Sequence, residues 1–249
     1  MKSRNSISER AILVGDVTMG SGNIIGDNSI LIGPLQLGDN NFIGQNVILG
    51  SIPQDDIYDL GTHEKSLTGK TTNFKSLKIG DGNIFREFTS AHRGAFRDTI
   101  IGSNNFVMSY TNISHDTIIG NNVKLASNVT LGGFVQIHDN SYLGMATSVL
   151  QFTVIGSFVM VGAHSTVTSD MKPGIVCYGS PARVKRLNII GLARIGIHES
   201  EELHEYITAE TLPNLLQKEL ENFDCSVTEN SHHRSAYRQI RSNTILGLS

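Results

Sequence analysis

The stretch IGSNNFVMSYTNISHDTIIGNNVKLASNVTLGGFVQI, residues 101–137, decides how this chain folds. An aliphatic residue stands at every sixth position, at Ile101, Val107, Ile113, Ile119, Leu125, Leu131 and Ile137. The same frame runs on without a miss through Leu143, Val149, Ile155, Val161 and Val167. The next position is often Gly, as at Gly102, Gly120, Gly132, Gly144, Gly156 and Gly162, and the fifth is small or β-branched, as at Thr111, Thr117, Val123 and Val129. A six-residue period fits neither an amphipathic helix nor an alternating strand. It suits a parallel β-helix, in which each hexad makes one flat side and one corner and three hexads close a triangular coil of about eighteen residues. The aliphatic residue points inward and stacks on its counterpart one coil away, which buries a column that no single coil could bury alone.

Working outward, the same period opens at Leu13 and passes through Met19, Ile25, Leu31, Leu37, Ile43 and Leu49, after a polar lead-in over residues 1–12. It breaks at Ser51, resumes at Ile79, Phe85 and Ala91, and then slips by four residues before Ile101. The prism is therefore expected over residues 1–187 with excursion loops at 51–78 and 92–100. A long loop on a rigid scaffold is either a functional element or a tolerated solvated insertion. Beyond Lys172 the period stops at Pro173-Gly174, and from Glu199 the composition turns to Glu, Leu and Gln. Leu203, Ile207, Leu215, Leu216 and Leu220 have roughly helical spacing, Ser200 suits an N-cap and Pro213 the first turn of a second helix. Residues 188–249 are thus expected to form a helical cap over the open end of the solenoid.

Composition excludes several classes of function. A net charge of −3 over 249 residues gives no basic surface for nucleic acid or for an anionic membrane. Cys177 and Cys225 are too few for a disulfide framework, and no apolar run is long enough to span a bilayer. A reduced, soluble, cytoplasmic protein is the expectation. With 25 Gly, no Trp and Gly-Asp/Asn pairs such as Gly26-Asp27-Asn28 and Gly38-Asp39-Asn40, the corners are supplied with residues that tolerate positive φ.

The chemistry-bearing residues follow from the period. Counting about eighteen residues per coil, His115 should lie below Gly133, and Gly133 below Gln151. A neutral imidazole can take a proton from a hydroxyl or amine, and a Gly lets a substrate approach a backbone N–H able to hold an oxyanion. Asp116 can orient the imidazole and stabilise its charged form. Spacing alone equally allows His115 to be a surface residue of its coil. His92, His138 and His164 fall outside this column, and no pair of His residues in the coils has zinc-ligand spacing, so no metal is expected. Arg183, Lys185, Arg186 and Arg194 could grip phosphate or simply face solvent.

These residues, read together, resemble a known family. Ile113-Ser-His115-Asp116, Ala126-Ser-Asn128-Val-Thr-Leu-Gly132-Gly133, Gln151-Phe152, Met160-Val161-Gly162 and Leu187-Asn188-Ile-Ile-Gly191-Leu192 with Arg194 are similar to the UDP-N-acetylglucosamine O-acyltransferases of lipid A biosynthesis. Gln54-Asp55, Ile79-Gly80-Asp81, Phe85-Arg86-Glu87 and His92-Arg93-Gly94 extend the likeness over nearly the whole chain. The resemblance implies a left-handed parallel β-helix, a homotrimer with sites between subunits, and transfer of a 3-hydroxyacyl chain from acyl carrier protein to a nucleotide sugar, with no cofactor beyond the thioester donor. It implies His115 as general base, Asp116 as its partner and Gly133 as oxyanion donor. It also implies Asp55 against the glucosamine, Gln54 and Gln151 in contact with substrate, Asn188 and Arg194 near the nucleotide, and Ala163 as the residue whose bulk sets acyl length.

The chain departs from the family at Asn112, Phe134 and Leu150, where histidines are usual, and at Ile57, Ile190 and Ile195, where charged residues are usual. The loop opened by Ser51 is longer. At Phe134, Leu150, Ile57 and Ile190 the departure removes a hydrogen-bonding or charged group, so acyl transfer is better supported than the acceptor's identity. The expectation is weak binding of UDP-N-acetylglucosamine, or another nucleotide sugar held by the longer loop with Lys65, Lys70 and Lys75. A different acyl donor, acylation at nitrogen, and a trimer of the same fold that binds without turnover remain the alternatives.

Overall fold

The computed structural model describes residues 4–55, 60–67, 74–194, 196 and 217–245. Short strands stack in parallel into three flat faces. The first runs from Ser6–Ile7 to Ile175–Gly179, the second from Ile12–Val14 to Thr166–Val167 and the third from Val17–Met19 to Val154–Ile155. In the uninterrupted coils each strand pairs with the one eighteen residues away, as Asn112 with Thr130 and Thr130 with Ser148, and across the excursions the pairing skips the inserted residues, as Phe42 with Ile84 and Ser90 with Asn112. The sixth-position residues point inward: Ile113, Leu131, Ile137, Leu143, Ile155, Val161 and Val167 are all buried in one continuous core.

That core is open at its N-terminal end. Ser6–Ile7 already pairs with Ile24–Ile25, so the solenoid begins inside the stretch expected as a lead-in. The inward position of the first coil, Leu13, is still 42% exposed because nothing described lies beneath it. At the other end Ala182–Leu187 turns back antiparallel on Ile175–Gly179 and closes the first face with a hairpin. Reversing direction there ends the coil stack, which removes a free parallel edge.

Asparagine accounts for the register of the lower half. Asn5, Asn23, Asn41, Asn83 and Asn105 form a ladder in which each side-chain Oδ1 accepts the main-chain N–H of the next. The ladder crosses the insertion between Asn41 and Asn83 in one step of 2.8 Å. It then crosses the four-residue slip and ends on the N–H of Val123. Other asparagines turn the corners: Asn28, Asn40, Asn46, Asn104, Asn122, Asn128 and Asn140 have φ between 56° and 62°. Higher up Tyr110, Phe134, Phe152 and Phe158 hold the same left-handed conformation, which is uncommon for bulky residues.

The two excursions differ in kind from the loops expected. The first contains a helix, α1 (Leu60–Leu67), and the second is confined to residues 93–98, because His92 and Thr99 already lie in strands. Arg93, its first residue, is buried, donating to the Gly33 carbonyl and lying 5.5 Å from the Phe74 ring.

A short helix, α2 (Ile189–Ala193), follows the hairpin and is capped by Asn188, whose side chain accepts from the Gly191 N–H. The last described element, α3 (Gln217–Ile245), does not cover the end of the solenoid as expected. It lies along the flank of the third face. Glu219 meets Ser157, Ser226 meets His138, Asn230 meets Gln136 and Glu229 meets Arg97. Its contact stripe combines the rings of Phe223 and Tyr237 with the polar side chains of Ser226 and Asn230, so α3 docks by aromatic packing and hydrogen bonds together. Ser200, Leu203, Ile207, Pro213, Leu215 and Leu216 lie outside the described residues.

The asparagine ladder is testable at its middle rung. Asn41→Ala would leave the Asn83 main-chain N–H and side-chain Nδ2 without their acceptor, at about 1–3 kcal/mol for each buried donor orphaned. Denaturant unfolding should show a loss of about 2 kcal/mol or more relative to the parent protein.

Candidate functional site

The corner between the second and third faces carries the candidate site. His115 and Asp116 follow the strand Asn112–Ile113 and are both buried. The Asp116 carboxylate accepts three consecutive main-chain N–H groups from the small excursion, Ala95 at 3.1 Å, Phe96 at 2.8 Å and Arg97 at 2.7 Å. Its own N–H donates to Thr99 Oγ1 at 2.8 Å, and its φ of 60° turns the side chain into this cradle. Oδ2 stands 2.6 Å from His115 Nδ1. A carboxylate surrounded by donors in this way accepts, which assigns the proton to Nδ1 and leaves the Nε2 lone pair free.

Gly133 stands one coil above, as the period requires. A Cβ placed there would come within 2.8 Å of His115 Cε1 and 2.9 Å of Nε2, so only Gly lets the imidazole lie flat against the backbone. Gln151 is exposed one coil higher and packs its backbone against Gly132. The carried-over residues are not all brought together. Asp55 reaches α3, where it accepts from the Tyr237 hydroxyl at 2.7 Å, while Gln54 beside it is exposed. Ala163 sits on a different corner, against Gly144.

Phe134, in place of a polar residue, is buried in an aromatic cluster. Its ring stacks on Phe152 at 4.6 Å and meets His115 edge-on at 5.7 Å. Phe96, His233 and Tyr237 complete the cluster, with the Arg97 guanidinium 5.7 Å from the Phe134 ring. Leu150 is exposed, whereas Ile57 and Ile195 lie outside the described residues, as does Lys70.

His92 belongs to this site although its separation from His115 is no multiple of eighteen. The strand pairing Ser90 with Asn112 and Ala91 with Ile113 sets it one coil below Ser114, because the excursion adds four residues to that coil. It is buried, its Nδ1 donates to the Ile52 carbonyl at 2.7 Å, and it hydrogen-bonds the Asn112 side chain. Burial pushes its pKa down, against those two hydrogen bonds, and His115 lies near enough to lower it further. The four-residue slip, counted into the column, was the signal that places it.

A second feature lies on the first face. Asn122, Lys124, Asn140, Tyr142, Arg186 and Arg194 help to line a cleft of about 750 Å³ that contains cationic and amide side chains and no acidic one. Asn188 and Ile190 are also at its wall, Ile190 being 68% exposed. The Asn188 side chain is already engaged, donating to the Phe158 carbonyl at 2.7 Å and capping α2. Within one chain this cleft and His115 are on different faces of the prism. No group of three or more metal-binding side chains occurs among the described residues, and none of the described helices is long and apolar enough to cross a membrane.

Two outcomes follow for the site. Gly133→Ala should push the His115 ring out of its slot and cost about 100-fold in any turnover that depends on it, the scale of a misplacement near 1 Å, read as kcat with the melting temperature as control. His92 and His138 both have pKa values lowered chiefly by burial. The unfolded chain therefore binds protons more readily. The stability they contribute is present above about pH 6.5 and is lost as pH falls through that value toward the depressed folded pKa. Melting curves taken from about pH 8 to pH 5 should descend in that window, with a flatter slope in a His92→Asn/His138→Asn double variant.

Comparison with known proteins agrees with this geometry. Residues 98–133, the stretch from the excursion to Gly133, match the model of the bacterial transferase hexapeptide (six repeats). The acyl-[acyl-carrier-protein]–UDP-N-acetylglucosamine O-acyltransferase of Verminephrobacter eiseniae is 39% identical over 151 residues, 59% of this chain and 53% of that protein. The chain thus spans about half the length of the curated relatives it matches. The structure of UDP-N-acetylglucosamine acyltransferase from Campylobacter jejuni superposes with a TM-score of 0.64 at 26% identity, covering 92% of this chain and 93% of that one. The Arabidopsis UDP-N-acetylglucosamine acyltransferase superposes with a TM-score of 0.63 at 26% identity, over 91% and 92%. The chain is a left-handed parallel β-helix of hexapeptide repeats, similar in sequence and in fold to the UDP-N-acetylglucosamine acyltransferases.

Proposed function

We propose that this protein transfers a 3-hydroxyacyl chain from acyl carrier protein to a hydroxyl of a UDP-N-acetylglucosamine-type nucleotide sugar, the first step of lipid A synthesis. The observation that carries the reading is the buried His115–Asp116 pair with Gly133 against the imidazole. His115 Nε2 takes the proton of the acceptor hydroxyl as its oxygen bonds to the thioester carbonyl carbon. Asp116 stabilises the imidazolium, and the Gly133 N–H donates to the oxyanion. Collapse of the tetrahedral species breaks the C–S bond, and the imidazolium returns its proton to the leaving thiolate.

The acceptor's diphosphate suits the cationic cleft with Lys124, Arg186 and Arg194. Because that cleft and His115 lie on different faces, a complete site takes His115 from one subunit and Arg194 with Asn188 from the next, in a homotrimer. Exposed apolar side chains support burial against further copies: Leu150 is exposed on the His115 corner, Met160 is exposed on the first face, and Phe88 and Tyr110 stack at 4.9 Å on another corner with Met145 exposed above them. Ala163, near the top of that corner, is the residue whose methyl group would limit acyl length. Asp55 is assigned to the sugar, and Gln54 and Gln151 to substrate contact. Asp55 then exchanges its Tyr237 hydrogen bond for one to the sugar.

The test supplies purified protein with a 3-hydroxyacyl-acyl carrier protein and UDP-N-acetylglucosamine and follows the acylated nucleotide sugar by mass spectrometry. His115→Ala should lose about 10²- to 10⁴-fold, the worth of a general base, and Arg194→Ala should bind the acceptor weakly. Co-assembling the two variants should restore part of the activity, since some interfaces then carry neither substitution. Absence of product from the parent protein, or no recovery on co-assembly, overturns the activity or the shared site respectively.

A further inference from the structure

Arg97 joins by hydrogen bonds two parts of the molecule, the cradle of Asp116 and the helix α3, that otherwise meet where the Phe96 ring packs edge-on against Tyr237 at 5.9 Å. Its main-chain N–H is one of three that hold the Asp116 carboxylate, and its side-chain Nε donates to the Asp116 carbonyl at 2.9 Å. One residue thus grips Asp116 at both its side chain and its backbone. The rest of the guanidinium turns outward to α3, where it donates to Glu229 Oε1 at 2.8 Å and to Asn230 Oδ1 at 3.3 Å. Asn230 is itself buried, donating to the Phe134 carbonyl at 2.8 Å and accepting from Gln136 Nε2 at 3.0 Å. That ties the helix to the coil containing Gly133.

We propose that Arg97 is a positioning residue for the His115–Asp116 pair, and that α3, through Glu229 and Asn230, holds it in place. The inference deepens the reading of the site given above and rests on it only for the activity measurements. The small excursion over 93–98 is tied at its two ends, where Arg93 N–H donates to the Ser51 carbonyl, Gly94 accepts from the Lys75 N–H and Asp98 from the Ser76 N–H, so the convergence of the three N–H groups between them on Asp116 depends on what fixes the middle of the loop. Arg97 does this with a side chain that is 13% exposed. Its charge is shared with Glu229, and its stem and guanidinium cover the Phe134 ring. An Asp116 that drifted would leave His115 Nδ1 without its acceptor and let the imidazole take either tautomer. The titratable and charged groups around the pair are His92 from the coil below, Arg97 from the excursion, and Glu229 with His233 from α3.

The experiment compares the full-length parent with Arg97→Met, which keeps the stem and the main-chain N–H, and with Glu229→Ala, a change at a side chain that is 48% exposed. Nitrogen-15 spectra of labelled histidine read the His115 tautomer and the downfield proton in its Nδ1–Asp116 hydrogen bond. Arg97→Met should lose that proton resonance and show mixed tautomers, with kcat down about 10- to 100-fold and KM for UDP-N-acetylglucosamine within twofold. Glu229→Ala should move the same signals in the same direction by less, which keeps the question decidable if Arg97→Met fails to fold. A folded variant pair that melts earlier but keeps the parent resonance and kcat would reduce Arg97 to a structural tie and overturn the proposal. If the parent itself transfers no acyl group, the activity reading fails, and the imidazole spectra still decide the positioning role.

Discussion

The structure depends on one constraint: each coil must pass its main-chain hydrogen bonds to the next coil, eighteen residues on wherever nothing is inserted. A parallel strand two or three residues long has almost no stability alone. It persists because its inward aliphatic residue is capped above and below, so burial and hydrogen bonding are satisfied by the same stacking. The asparagine ladder makes the offset specific where the chain is interrupted. Between Asn41 and Asn83 the polypeptide leaves and returns, and a side-chain amide bonds across the gap as if nothing had been inserted.

What could be read from residues alone was what that constraint dictates. The sixth-position aliphatics place the core, and the stacking of Gly133 over His115 follows from counting. His92 was missed because the count ran in multiples of eighteen, while the excursion lengthens one coil by four residues. The cradle of Asp116 was not legible, since it consists of main-chain N–H groups whose direction no side-chain pattern records. The position of α3 was misread for a further reason. Terminal helices are expected to cover apolar ends, but this one docks along the flank, joining hydrogen bonds from Ser226, Asn230 and Tyr237 to ring packing by Phe223 and Tyr237.

Replacing a polar residue by Phe134 has a different meaning in the fold than in the alignment of motifs. The ring does not leave a hole where a hydrogen bond was. It nucleates contacts with Phe96, Phe152, Tyr237 and Arg97, and so converts one wall of the His115 corner into an apolar seat for α3. Catalytic geometry on a stiff solenoid therefore borrows its last restraints from outside the repeats. The repeats fix backbone positions well, while the orientation of a corner side chain depends on what packs over the corner.

The contacts of α3 are also very distant in sequence. Glu229 meets Arg97 across 132 residues, and Tyr237 meets Asp55 across 182. Coils can be added one at a time as the chain leaves the ribosome, each on the coil before it, with only short loops to close. The helix has no such option. During synthesis the prism with His115, Asp116 and Gly133 is in place while the residues that brace their corner are still untranslated, so the scaffold matures from its N-terminal end and the site is finished from its C-terminal end.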